Sequence, residues 1–136
     1  MDRVKPADNP LINRRIEVMG MFYVPMTVTN LQSGVNTTVD ALVDTGAHYP
    51  VVPVALLQQL GIEPTSSEMF SFADGRRDTL KMGEARFTVQ GKSTPSLCIF
   101  GPAGSEPILG VLVLEGLGLT VDPVNQRLLP AELLLL

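Results

Sequence analysis

The chain has 136 residues and a formal net charge of −4, with eleven prolines, twelve glycines, one cysteine and one histidine. That length suits one domain with its own core, and the acidic balance leaves no basic surface for a nucleic acid backbone. A lone Cys98 excludes an intrachain disulfide and a lone His48 leaves no zinc cluster, so neither metal nor cofactor is expected.

The opening Met1-Asp2-Arg3-Val4-Lys5-Pro6 is charged and no apolar signal core follows it. No apolar run is long enough to span a bilayer, and one cysteine fits a reducing compartment, so a cytoplasmic protein with no membrane partner is expected. Frequent prolines and glycines predict short strands joined by turns, an all-β chain with one or two short helices. Residues 1–14, with Pro6 and Pro10, read as an N-terminal arm without a core; residues 15–130 as the domain; residues 131–136 as an apolar tail.

From residue 16 to 29 the chain is apolar and β-rich, with Gly20 and Pro25 marking a bend or bulge. A hairpin turn over residues 30–34 leads to a strand from 36 to 43. This strand alternates at first and becomes apolar on both faces as it reaches Asp44. Asp44-Thr45-Gly46-Ala47 then places an acid at a loop tip, with Gly46 free to take a tight turn, positive φ included. The Thr45 hydroxyl can satisfy backbone groups in that loop or a neighbouring one. Average residue usage gives Asp-Thr-Gly by chance in roughly three of every hundred chains of this length, so the tripeptide alone identifies nothing.

After a short strand at Val51-Val52, residues 53–61 read as a helix with proline at its start and glycine at its end. Residues 69–73 and 79–82 form two strand-like arms around the polar turn Asp74-Gly75-Arg76-Arg77. Further strands are expected at 84–90 and 96–100, with Cys98 in the second as a buried small apolar residue. Ile108-Leu109-Gly110 precedes a short helix at 111–116. Closing strands at 119–121 and 127–129 flank a turn, with Asp122 as a strand-end turn acid.

An apolar strand running into Asp-Thr-Gly-Ala, a glycine-bearing hairpin, Ile-Leu-Gly with a short helix, and a last strand together resemble the retropepsin-like (retroviral-type) aspartic proteases. The resemblance spans roughly residues 15–130. It implies a closed or semi-open β-barrel of the acid-protease half type and an aspartic endopeptidase acting on protein or peptide substrates. Asp44 would be the catalytic acid, with Thr45, Gly46 and Ala47 as its loop. Phe72, Ala73, Asp74 and Gly75 would form the flap over the substrate, although a plain surface hairpin would look the same. Ile108, Leu109 and Gly110 would support the loop from below.

Hydrolysis between carboxylates needs two of them around one water, and no second acid here sits in an Asp-Thr/Ser-Gly setting. A homodimer supplying one Asp44 from each copy is therefore expected. In the resemblance Thr45 bonds across the two-fold and the chain ends build part of the interface; Leu133-Leu134-Leu135-Leu136 either joins it or packs or frays on its own domain. His48, where the family has a small polar residue, reads as a loop residue or as a group tuning the site. Two alternatives stay open beside the peptidase: a silent dimer that holds extended peptides, and a small β-barrel with a fortuitous Asp-Thr-Gly.

Overall fold

The structure, a computed structural model, describes residues 21–132. The N-terminal arm, Gly20 and the four terminal leucines lie outside the described residues. Nine strands and two short helices follow in the order β1 (Tyr23–Thr29), β2 (Asn36–Val43), β3 (Val51–Pro53), α1 (Val54–Gln59), β4 (Ser66–Ser71) and β5 (Arg77–Val89). Then come β6 (Lys92–Gly101), β7 (Ile108–Leu109), α2 (Val111–Leu117), β8 (Leu119–Asp122) and β9 (Arg127–Pro130). The expectation of an all-β chain with one or two short helices is met among the described residues. Among the described residues no helix is long and apolar enough to cross a membrane.

Seven strands form one sheet in the order β1-β2-β7-β3-β6-β5-β4, and a further pairing of β1 with β5 closes six of them into a ring. β4 hangs outside the ring on β5, and β8 pairs with β9 as a separate hairpin. Closure leaves little free edge. The two strand prolines fit this economy: Pro25 lies in the part of β1 that has only β2 beside it, and Pro95 in the part of β6 that has only β5. A residue without an N–H is tolerated where a ladder is one-sided.

The register divides the ring into two faces, because side chains alternate along each strand. One face carries Val24, Met26 and Val28 of β1, Ala41 and Val43 of β2, Leu109, Val52, Phe100, and Ala85, Phe87 and Val89 of β5; all are buried. Leu57 of α1 and Val113, Leu114 and Leu117 of α2 close over the same core. Full burial of such side chains stabilises by roughly 1.5–3 kcal/mol each, so this layer holds the domain together.

Two expected strands, 79–82 and 84–90, are one. β5 runs thirteen residues straight through Gly83, where the sequence reads as a break. A Cβ there would lie 2.8 Å from the Phe100 ring and 3.0 Å from the Glu63 carbonyl oxygen, so the glycine admits a close neighbour and does not end the strand. The preceding arm also starts earlier than expected, at Ser66, because Ser66 and Ser67 pair with Met82 and Lys81. Cys98 is fully buried in β6, and burial pushes its thiol up to about 12, against a smaller lowering by a backbone hydrogen bond from Gly83.

Candidate active site

β2 loses its alternation at Ala41, Leu42 and Val43, all buried, and brings Asp44 to the end of the ring. The backbone here is held from two sides. Leu42 N–H donates to the Pro107 carbonyl at 3.0 Å, Val43 N–H to Phe22 at 2.8 Å and Asp44 N–H to Leu109 at 3.1 Å. Asp44 is the one buried carboxylate among the described residues, 1% exposed. Burying a carboxylate is costly without hydrogen bonds. Its Oδ1 accepts the Gly46 N–H at 2.9 Å, and its carbonyl accepts the Ala47 N–H at 3.1 Å. The turn thus closes on the acid itself, and Gly46 stays outside the left-handed region that the sequence left open to it.

The far side of the loop is fastened to α2. The first N–H groups of any helix lack partners within it, and α2 has no side-chain cap. The loop takes that role: Ala47 and His48 carbonyls accept the N–H groups of Val111 and Leu112, each at 2.9 Å. Gly110, at the N-cap, makes this possible. A Cβ on it would sit 2.7, 2.8 and 2.9 Å from the carbonyl oxygens of Tyr49, Ala47 and His48.

Asp44 shares a face with Leu42, two residues earlier, and this is the face opposite the core. Across the ring at that level the register sets Tyr23 beside Leu42, Leu42 beside Ile108, Ile108 beside Val51, Val51 beside Ile99 and Ile99 beside Met82. Leu42, Ile99 and Met82 are buried, while Tyr23, Val51 and Ile108 are half-buried. Farther from Asp44 the same face turns polar, with Thr27, Thr38, Asp40, Glu84, Arg86 and Thr88. An apolar wall on an otherwise polar face is thus gathered at the level of the buried acid, and its half-buried members Tyr23, Val51 and Ile108 are the part accessible to a ligand.

The expected site residues separate into three places. Asp44, Thr45, Gly46 and Ala47 form the loop, with Thr45 and Gly46 exposed. Ile108, Leu109 and Gly110 divide their work: Leu109 enters the core, Gly110 abuts the loop carbonyls and Ile108 stands on the Asp44 face. Phe72, Ala73, Asp74 and Gly75 make the exposed tip of the β4–β5 hairpin. Phe72 N–H donates to the Arg76 carbonyl, and Gly75 N–H to the Phe72 carbonyl. Asp74 accepts both the backbone N–H and Nε of Arg76 at 2.9 Å, and these hold its carboxyl below the usual range, the backbone bond first. The Arg76 guanidinium stands 5.0 Å over the Phe72 ring.

Residues to which sequence reading gave no role are Tyr49 and the wall apart from Ile108. The exposed His48 meets the Tyr49 ring edge-on at 4.7 Å, and Tyr49 meets Phe70 of β4 edge-on at 6.3 Å. Tyr23, Val51 and Ile99 become visible only when strand order and register are known; the one hint in sequence is that Val51-Val52 are apolar on both sides of the pleat.

The sequence matches the model of the family described as aspartyl protease over residues 24–113, more than half of the chain. No curated protein matches it. Among solved structures the fold is similar to that of EIAV protease complexed with the inhibitor HBY-793, with a TM-score of 0.52 and 18% identity over 84% of this chain and 92% of that one. It is similar also to a retropepsin-like aspartic protease from Rickettsia conorii, with a TM-score of 0.51 and 20% identity over 75% of this chain and 76% of that one. At these identities the likeness is one of fold, and the family match is what assigns the chain: it belongs to the aspartyl protease family.

Proposed function

We propose that the protein is an aspartic endopeptidase whose active site forms only when two copies meet, each supplying Asp44. The observation that carries this reading is the one buried carboxylate among the described residues, Asp44, whose Oδ1 accepts the Gly46 N–H and whose own backbone N–H donates to the Leu109 carbonyl, at the end of an apolar wall. One such acid among the described residues is half of what the chemistry needs. A groove lined by Val111, Leu114, Leu119 and Val121 together with Thr45, Glu115 and Thr120 opens beside the loop and offers mixed apolar and polar surface to a second copy.

Two carboxylates brought within hydrogen-bond reach cannot both ionise, and they share one proton, as is established for this class of enzyme. The ionised Asp44 takes a proton from the water between them while the protonated Asp44 donates to the scissile carbonyl oxygen. Water oxygen bonds to the carbonyl carbon, giving a tetrahedral diol. Proton transfer to the amide nitrogen then lets the C–N bond break, leaving a carboxyl group and an amine. The substrate lies extended, its backbone pairing with the loop and with the residues 72–75 that close over it, and its side chains rest against Ile108 and Val51.

The test joins assembly to chemistry. The wild-type chain is expected to sediment as a dimer, to cut a denatured-protein peptide library, and to be inhibited by a peptide mimic with a hydroxyl at the scissile position. Asp44→Asn should keep the dimer and lower cleavage by more than about a thousandfold. A wild-type dimer that binds peptides and cuts none from acid to neutral pH would make it a binding module. A monomer at high concentration would end both readings.

A further inference from the structure

We propose that Glu106, oriented by Tyr23, makes the Asp44 face of the ring a site for a basic side chain, so that the peptides cut carry lysine or arginine flanking the scissile bond. The inference rests on the proteolytic reading above and names its substrate class. Tyr23 is the last member of the apolar row, paired in register with Leu42, two residues before Asp44. Its phenol donates to Glu106 Oε1 at 2.8 Å, across 83 positions of sequence. The Glu106 backbone is fixed as well, because the next carbonyl, that of Pro107, accepts the Leu42 N–H at 3.0 Å. A carboxylate is therefore held at the edge of the apolar row, where the same face turns polar toward Asp40.

Glu106 is half-buried, and among the described residues no lysine or arginine pairs with it. An ionised carboxylate has acceptor capacity for about four hydrogen bonds, and a single neutral phenol leaves most of it unused. A half-buried anion without a cation gains from one that arrives with the substrate. Lysine and arginine have the matching shape: an aliphatic stem to lie along Ile108, Val51 and the Tyr23 ring, and a charged head to reach the carboxylate. The net charge of −4 favours cationic peptides at encounter. In a two-fold dimer the same pair recurs on the opposite side of the dyad, so a basic residue is accepted on either side of the bond.

The experiment is a cleavage-site profile of the full chain on a peptide library, followed by kcat/KM on matched peptides with Lys, Arg, Leu or norleucine at the flanking position. Wild type is expected to favour Lys and Arg. Glu106→Gln should lower the Lys-to-norleucine ratio on the order of tenfold to a hundredfold, and Tyr23→Phe should lower it by less, with the fold intact by circular dichroism. A purely structural Tyr23–Glu106 tie would leave that ratio unmoved, and an unchanged ratio overturns the proposal, as does a wild-type preference for apolar flanks. Should wild type cut nothing, fluorescence anisotropy of the same peptides decides: tighter binding of the Lys peptide, lost in Glu106→Gln, keeps the basic site while ending the proteolytic reading. Equal binding ends both.

Discussion

The ring of Tyr49, five residues past Asp44, meets the ring of Phe70 edge-on, with centroids 6.3 Å apart and planes at 88°. This contact links the loop that carries the acid to the hairpin that projects beyond the barrel. The link matters because the hairpin has no core of its own: β4 and the first five residues of β5 are exposed or at most half-buried. An aromatic pair of this geometry is worth about 0.5–1.5 kcal/mol beyond its area, enough to shift an exposed hairpin between docked and undocked positions. Tyr49→Ala is expected to speed amide exchange across residues 69–80 while the core of β5 and β6 keeps its protection. Equal acceleration in both regions would show that the pair serves the whole domain.

Gly110 is expected to be the least replaceable residue near the site. Its missing Cβ leaves room for three carbonyl oxygens within 2.7–2.9 Å, all belonging to the loop that caps α2. Alanine there must push backbone, which yields far less readily than a flexible side chain. Gly110→Ala should destabilise the fold by about 1–3 kcal/mol, the usual range for overpacking, read from urea unfolding with unchanged m-value. Gly104→Ala makes a control for size alone, since nothing lies within 4 Å of a Cβ there, although its positive φ adds strain.

Much of the route to Asp44 was legible, because the chain changes its hydrophobic period where it changes environment. Thr37 to Asp40 alternate, Ala41 to Val43 do not, and the strand ends where the sequence said it would. Proline before α1 likewise marks a real start, while α2 runs one residue past its expected end at residue 116, to Leu117. What stayed hidden depends on partners distant in sequence. Gly83 looks like a break until Phe100 is placed against it. Ile108 reads as one of three supporting residues until the parallel pairing with Leu42 turns it toward Asp44. The Tyr23–Glu106 bond has no local signal at all, since neither residue is unusual among its neighbours.

Acid should loosen the hairpin tip before the barrel. Asp74 and Asp122 both have folded pKa values below the ordinary 3.8, Asp74 chiefly through the Arg76 N–H and Asp122 chiefly through the Asn125 side chain. A depressed folded value means the unfolded chain binds the proton first, so the contribution is present above pH 3.8 and fades as pH falls below it. Asp74 is exposed and Asp122 half-buried at the surface, and the effect on global stability is small. The expected reading is local: NMR amide shifts of Arg76 and Asn125 titrate together with their aspartates, and Asp74→Asn removes the first without the second. Titration of both amides in Asp74→Asn would break the assignment.

Alkali offers the opposite sign, through Cys98. Its folded thiol is pushed up to about 12 from an ordinary 9.0 because it is buried in the core layer. Here the folded chain keeps the proton longer. The stability this confers is complete below pH 9 and is lost progressively as pH rises toward 12, since unfolding then releases a proton. Comparing wild type with Cys98→Ala isolates the effect from every other alkaline titration: the stability difference between them should be flat from pH 6 to 8 and move against wild type above pH 9. The same burial makes the thiol a poor nucleophile, so a thiol reagent at pH 8 should label Cys98 at the rate of unfolding and no faster. Rapid labelling of the native protein would mean that β6 opens at Cys98 without global unfolding, and the pH window would then narrow toward the ordinary value.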